Sequence, residues 1–479
     1  MSNTIETNLQ RLLTATSDIA DAIEAKGGTV GANDGLEAFP TAIATIPNGN
    51  ITDVQYTTRT LNKYTAGSLQ PTPVLTVDET PTANSNNPIA SKAIYSSLSV
   101  MNDILEEVLH SQPKVYGIVW DKTNDGSDPQ NPAITRTDDS ASFSNPNPYY
   151  SGMSETPSSP FDTLQPWAGM VKETIDGNSM VKIPKFYYKI VNGSDSMTIQ
   201  IADGPKNGFK ISPAHRAQNS NDTIKDYIYI GRYKCNSSYG STTGQTPLTN
   251  ITRSTARSGC RALDNNSGKY DQLDFATWWT IRMLYLVEFA NWNCQAVIGG
   301  GCSTSGSIMN TGYTDSITYH TGTTASSIST TAYGGTQYRW IEGLWDNVLE
   351  WCDGITFNNT DVYTFNDRAN YSDSYTATGA IKVGTRASTD GETKDFFTPS
   401  TTSTVDYDID WMMYTSDTYS DSNYATYTCD FCQFSSSGVV LFVGGYYYQD
   451  QGFGLGQANG SASSSSSLPV LGVRLLRYP

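Results

Sequence analysis

The chain has 479 residues and a net charge of −17; charged residues make up 16% and hydrophobic ones 37%, with 40 glycines and 30 tyrosines. So acidic a chain with no basic run is not built to grip nucleic acid or an anionic membrane by charge. It has no 18-residue apolar stretch, and MSNTIETNLQ lacks a charged segment leading into an apolar one, so neither membrane insertion nor signal-peptide export is expected.

Residues 1–50 read as a helical attachment module. Ile5, Leu9, Leu12, Thr16, Ile19 and Ile23 are spaced 4-3-4-3-4, a heptad seam stopped by Lys26-Gly27-Gly28. A second short helix is expected over 35–46, before Pro47-Asn48-Gly49-Asn50 breaks the chain. Residues 51–112 read as a linker and a second seam, Ile94, Leu98, Met101, Leu105 and Val108. Two heptads are too short to stand alone, so they are expected to clamp chains together.

From Pro113 the character changes to Trp, Tyr and Gly with short apolar runs. Strands are expected at Lys114–Trp120, Ala133–Asp139 and Met180–Ile190, the last with Val181, Ile183 and Phe186 facing inward. One clear helix is expected over Asp274–Ala296, ended by Gly299-Gly300-Gly301. Its apolar residues, Trp278, Trp279 and Trp292 among them, go most of the way round, so it is expected to be buried. Asn192–Ser258 and Asp361–Asp410 read as loop insertions, and Val439–Val443 as a strand.

The last stretch, Gly444–Pro479, is mostly Tyr, Ser, Gly, Gln, Asn and Asp between two glycines and Gly472-Val473-Arg474. Such a mixture has too little aliphatic volume to fill a core. It matches a binding paratope, where Tyr supplies rigid contact area and Ser, Gly and Asn adaptable hydrogen bonds. The candidate surface residues are Tyr446, Tyr447, Tyr448, Asp450, Gln451, Phe453, Gln457, Asn459, Ser461, Ser463 and Ser464. Leu468–Leu471 and Val473–Leu475 read as a closing buried strand.

Chemistry is harder to find. Seven cysteines are scattered, Cys429-Asp430-Phe431-Cys432 is a lone CxxC, and His110, His215 and His320 stand apart, so no metal and no cofactor are expected. Gly452-Phe453-Gly454-Leu455-Gly456 lacks a Walker lysine. Asp406, Asp408 and Asp410 offer carboxylates of the kind a glycan-cleaving enzyme needs, but read better as an acidic turn. No catalytic residue is assigned.

Several stretches resemble known families. ADAIEAKGGTVGANDGLEAFPTAIATIP and VDETPTANSNNPIASKAIYSSL resemble modules of bacteriophage tail and virion proteins. Tyr338–Ile355, with Gly343, Asn347, Glu350 and Trp351, resembles the signature stretch of formylglycine-generating-enzyme-like domains, though Asp346 and Leu349 depart from it. The order GG, polar-aromatic run, G-V-R resembles the C-terminus of the C-type-lectin-like fold shared with the variable proteins of diversity-generating retroelements. Enzymes of that family carry reactive cysteines after the GG, and Gly444–Pro479 has none. The resemblance implies an α+β, C-type-lectin-like receptor-binding domain over 113–479, a twisted antiparallel sheet with a buried helix and long loop insertions. It stands behind coiled-coil virion-attachment segments, with a display loop at 444–479. The implied protein is a phage tail receptor-binding protein, assembled in the host cytoplasm into the virion as a homotrimer. Its partners would be a host-surface protein or glycan receptor and other tail proteins. A structural or decoration protein of the virion is the alternative.

Overall fold

A computed structural model describes residues 113–126, 132–216, 222–301, 307–365, 367–399, 413–420, 424, 426–448 and 452–479, with Asp21 and Glu24 in helix and the backbone of three short strands nearer the N-terminus. The chain forms two compact units, Met1–Gln112 and Pro113–Pro479. In the first, Val54–Tyr56, Leu61–Thr65 and Ser68–Leu69 pair antiparallel. The proposed trimer seams (Ile5, Leu9, Leu12, Ile19, Ile23; Ile94, Leu98, Met101, Leu105, Val108) lie outside the described residues, as does the expected helix over 35–46.

The second unit is built from short antiparallel strands. One five-stranded sheet runs in the order Lys210–Ile211, Tyr187–Asn192, Ser196–Ala202, Val115–Asp121, Ile134–Asp138. A second runs Tyr270–Gln272, Arg474–Arg477, Tyr227–Lys234, Asn178–Pro184, Lys172–Ile175. The third runs Ala380–Thr385, Asp361–Phe365, Leu349–Asn358, Val440–Val443, Ala458–Ala462, with Leu471–Gly472 added parallel to Leu349–Asn358. The inward faces follow the two-residue period of a pleated strand. Val181 and Ile183 are fully buried, and so is Phe186. Phe186 lies at a corner where the expected single strand splits into Asn178–Pro184 and Tyr187–Asn192, which belong to different sheets.

Three α-helices occur among the described residues of the second unit: α1, Arg253–Ala262; α2, Phe275–Phe289; and α3, Cys294–Val297. Every residue of α2 is buried. Asp274 caps it, its carboxylate accepting the Thr277 amide at 2.8 Å. It ends at Ala290 in the left-handed conformation (φ 50°, ψ 40°), before the glycines that the sequence points to. Trp167 Nε1 donates to the Leu284 carbonyl at 3.1 Å and Trp279 Nε1 to that of Met413 at 2.8 Å, so the core aromatics are fixed by polar tips as well as by packing.

This architecture corrects the α+β, C-type-lectin-like fold that the sequence resemblance implies: the described part of the second unit is mostly β, with helices of only ten, fifteen and four residues. The physical reason lies in the segments read as loops. Tyr227–Lys234, Asp361–Phe365, Ala380–Thr385 and Gly391–Phe396 are strands, some of whose polar residues are buried against partners far along the chain, as Lys234 is against Glu350 and Glu392 against Thr426. Helix α1 also falls largely inside a stretch read as an insertion. Its buried face is Arg253, Ala256, Arg257 and Cys260, a face that apolar periodicity cannot reveal. Arg257 grips Asp353 through Nε at 2.5 Å and Nη2 at 2.9 Å, and Arg253 Nη1 reaches the Cys352 and Ile355 carbonyls at 2.9 and 2.7 Å.

Candidate recognition surface

The C-terminal segment begins on a close backbone approach. Gly444 has φ 79°, and a Cβ there would stand 2.5 Å from the Leu344 carbonyl oxygen. A Cβ on Gly445 would stand 2.5 Å from the Trp345 carbonyl oxygen and 2.8 Å from that of Phe453. Only glycine fits such spacing without moving the chain. The next link is a hydrogen bond from the Tyr447 amide to the Asn347 carbonyl at 3.0 Å. Asn347, itself at φ 68°, brackets Met309 with both ends of its amide, at 2.9 Å each.

The three tyrosines therefore leave from a fixed base. Tyr446 is half-buried against the cluster that holds Trp351, Phe442 and Leu471, and its ring meets that of Tyr447 edge-on at 5.7 Å. Tyr447 is half-buried, and Tyr448 is 75% exposed. Asp450 and Gln451 lie outside the described residues.

Beyond them, Phe453 is half-buried near Phe431. The Gly454 and Gly456 amides both donate to the Asp430 carboxylate, the second at 2.6 Å, and the Leu455 amide meets Cys294 Sγ at 3.2 Å. The Cys-Asp-Phe-Cys stretch thus matters for its aspartate, which staples the glycine-rich turn. Burial raises the Asp430 carboxyl to about 7, against the two amides and Arg282, which pull it down.

Gln457 and Asn459 are not displayed. They are 0% and 3% exposed, because Ala458–Ala462 joins the third sheet as an edge strand rather than continuing a loop. Asn459 Oδ1 accepts the Ser461 amide and hydroxyl at 2.9 and 2.6 Å, a contact within the strand, where its pairing with Val440–Val443 shifts register. Ser461 and Ser463 are half-buried and Ser464 is exposed. Gly444–Pro479 therefore holds two loops divided by the strand Ala458–Ala462, ahead of the closing strands Leu471–Gly472 and Arg474–Arg477, with Tyr447, Tyr448 and Phe453 on the first loop and Ser463 and Ser464 on the second.

The scaffold tryptophans Trp278, Trp292, Trp345 and Trp351 are buried. Trp345 Nε1 donates to the Gly299 carbonyl at 3.1 Å and Trp351 Nε1 to that of Ile251 at 2.9 Å. Asp346, at the position where the family resemblance expects glycine, has its carboxylate against Thr336, whose amide and hydroxyl donate at 2.9 and 2.8 Å. The positive φ of that turn falls on Gly343 and Asn347 instead.

Among the described residues no group of three metal-capable side chains converges, and no helix is long and apolar enough to cross a membrane. Cys235, Cys260, Cys294, Cys352, Cys429 and Cys432 are buried thiols. Asp406, Asp408, Asp410, Cys302 and His110 lie outside the described residues. Sequence reasoning missed Asp430 and Asn347 as supports of the loop. The signal available for Asp430 was the Gly454-x-Gly456 spacing, which turns two amides to one side and calls for a carboxylate.

No family model and no curated protein matches the chain. Among solved structures it is similar to PvdO from Pseudomonas aeruginosa at 10% identity, covering 65% of this chain and 98% of that one. The TM-score is 0.27, too low to carry an argument about fold or function.

Proposed function

We propose that the chain is a non-enzymatic receptor-binding protein of a phage virion, which attaches the particle to a host-surface protein or glycan through the tyrosine loop after Gly445. One observation supports this reading above the others: Tyr446, Tyr447 and Tyr448 pass from half-buried to exposed directly after a backbone packed closely at Gly444 and Gly445 and hydrogen-bonded to Asn347. A rigid base with projecting aromatic rings lowers the ordering cost of binding, since a phenol has two rotatable bonds and a large contact area. In the same proposal the first unit docks to other tail proteins, the assembly is a homotrimer, and loop positions such as the half-buried Tyr447 and the exposed Tyr448 and Ser464 are those a retroelement would diversify.

The test is attachment of purified protein to a panel of bacterial envelopes, wild type against Tyr447→Ala/Tyr448→Ala. Hot-spot aromatics cost roughly 2 kcal/mol each, so two together weaken attachment by roughly 10³-fold if they add. Wild-type attachment that survives the double substitution unchanged removes the loop from the binding site.

A further inference from the structure

Away from the tyrosine loop, a cavity of about 360 Å³ opens on the sheet that contains Lys172–Ile175, Asn178–Pro184 and Tyr227–Lys234. Lys172, Glu173, Thr174, Ser179, Arg232 and Asp315 are among its lining residues. The two carboxylates are already engaged. Asp315 accepts from Arg232 Nη2 at 3.0 Å and from Thr243 Oγ1 at 2.6 Å, and also from the Tyr233 hydroxyl. Glu173 accepts the Tyr229 hydroxyl at 2.6 Å and faces Lys182 at 3.9 Å.

The two cations are less well served. Arg232 is 4% exposed, yet its Nε and Nη1 have no hydrogen-bond partner among the described residues. Lys172 forms no ion pair among them, and its ammonium rests 4.1 Å over the half-buried Trp340 ring. Burial first, then the Arg232 charge, lowers the Lys172 ammonium from its usual value, against the Asp315 charge, which raises it. The two cations balance the two carboxylates of the lining, in a chain whose net charge is −17. Unfilled donors on cations beside saturated carboxylates select for an incoming oxygen anion.

We propose that this cavity binds an oxyanion, the carboxylate of an acidic sugar or a phosphate group, through Lys172 and Arg232. The site is independent of the tyrosine loop, and failure here leaves that reading as it stands. Lys172 is exposed and can be changed without opening the core. Isothermal titration calorimetry on the full chain, with glucuronate, inorganic phosphate and glucose as titrants, is the test. Glucuronate or phosphate binds and glucose does not; Lys172→Gln weakens binding by about tenfold and Lys172→Arg retains it. Binding of glucuronate alone identifies an acidic saccharide as the source, and equal binding of phosphate a phosphate-bearing ligand. Glucose binding as well as glucuronate, no binding of either anion at about 10 mM, or an unchanged Lys172→Gln variant overturns the proposal.

Discussion

Arg474 holds Glu350 with two parallel hydrogen bonds, Nε to Oε2 at 2.8 Å and Nη2 to Oε1 at 2.6 Å, and neither side chain reaches solvent. Lys234 Nζ adds a third charge to the same carboxylate at 2.8 Å. Three strands from two sheets thus converge on one buried ionic knot. Burial would raise the Glu350 carboxyl, and the Arg474 and Lys234 charges outweigh it, leaving the group below its ordinary value.

Breaking the knot from the carboxylate side strands two buried cations. Glu350→Gln is expected to lower unfolding free energy by about 3–5 kcal/mol, measured by urea denaturation at neutral pH. Because the folded carboxyl is depressed, its contribution is present above the unfolded value and disappears as pH falls through the folded one. The variant should therefore show a shallower acid limb than wild type.

His215 gives the second pH prediction. Its ring is fully buried, with Nδ1 2.6 Å from Ser212 Oγ and Nε2 2.9 Å from the Ile183 carbonyl. Burial, ahead of the opposing Ile183 hydrogen bond, lowers it from 6.5 to about 4. The folded state keeps the ring neutral while the unfolded chain takes up a proton, so stability falls as pH drops from 6.5 to about 4. The loss across that window is about 3 kcal/mol. Denaturation curves of wild type and His215→Gln across the window should differ in slope; parallel slopes would discount the histidine.

Thiol chemistry should be suppressed. Burial pushes the Cys260, Cys294, Cys352 and Cys432 thiols up, and the nucleophile is the thiolate. A short iodoacetamide pulse on folded protein is expected to leave these four unmodified by mass spectrometry, with full labelling in denaturant. Rapid native labelling of Cys294 would show the Gly454–Gly456 turn to be open.

The loop base and the loop tip should separate in their effects. Tyr448→Ala changes folding stability by under ~0.5 kcal/mol, since an exposed ring has little to lose. Gly445→Ala puts a methyl against two carbonyl oxygens and is expected to cost more than about 2 kcal/mol, or to displace the loop. Thermal melting and envelope attachment, read side by side, distinguish the two. A Gly445→Ala protein that melts and binds like wild type would mean the close approach at Trp345 is not needed.

What was legible in the sequence followed a simple rule: apolar period could be read, polar burial could not. The strands at Val115–Asp121 and Val440–Val443 stand where alternating or continuous apolar residues point. The aromatic α2 is as buried as its composition demands. Helix α1 escaped notice because its inward face carries two guanidinium groups, whose burial depends on Asp353 and Asp373, about a hundred residues on. Ala458–Ala462 escaped because Ala-Asn-Gly-Ser-Ala has no strand propensity of its own; pairing with Val440–Val443 creates it. The same tertiary override buries Gln457 and Asn459, residues whose polarity marks them for the surface. In the first unit the heptad residues fall outside the described positions, and the oligomer expectation rests on their spacing alone.

The strand Arg474–Arg477 is not at the margin of its sheet; it sits between Tyr270–Gln272 and Tyr227–Lys234. During synthesis both neighbours emerge from the ribosome some two hundred residues before it. The nascent chain therefore carries a gap bordered by two unpaired strand edges until translation of this stretch is done. Completion of the sheet waits for this strand, and a ribosome that stalls before Arg474 releases a product prone to stick to its own copies.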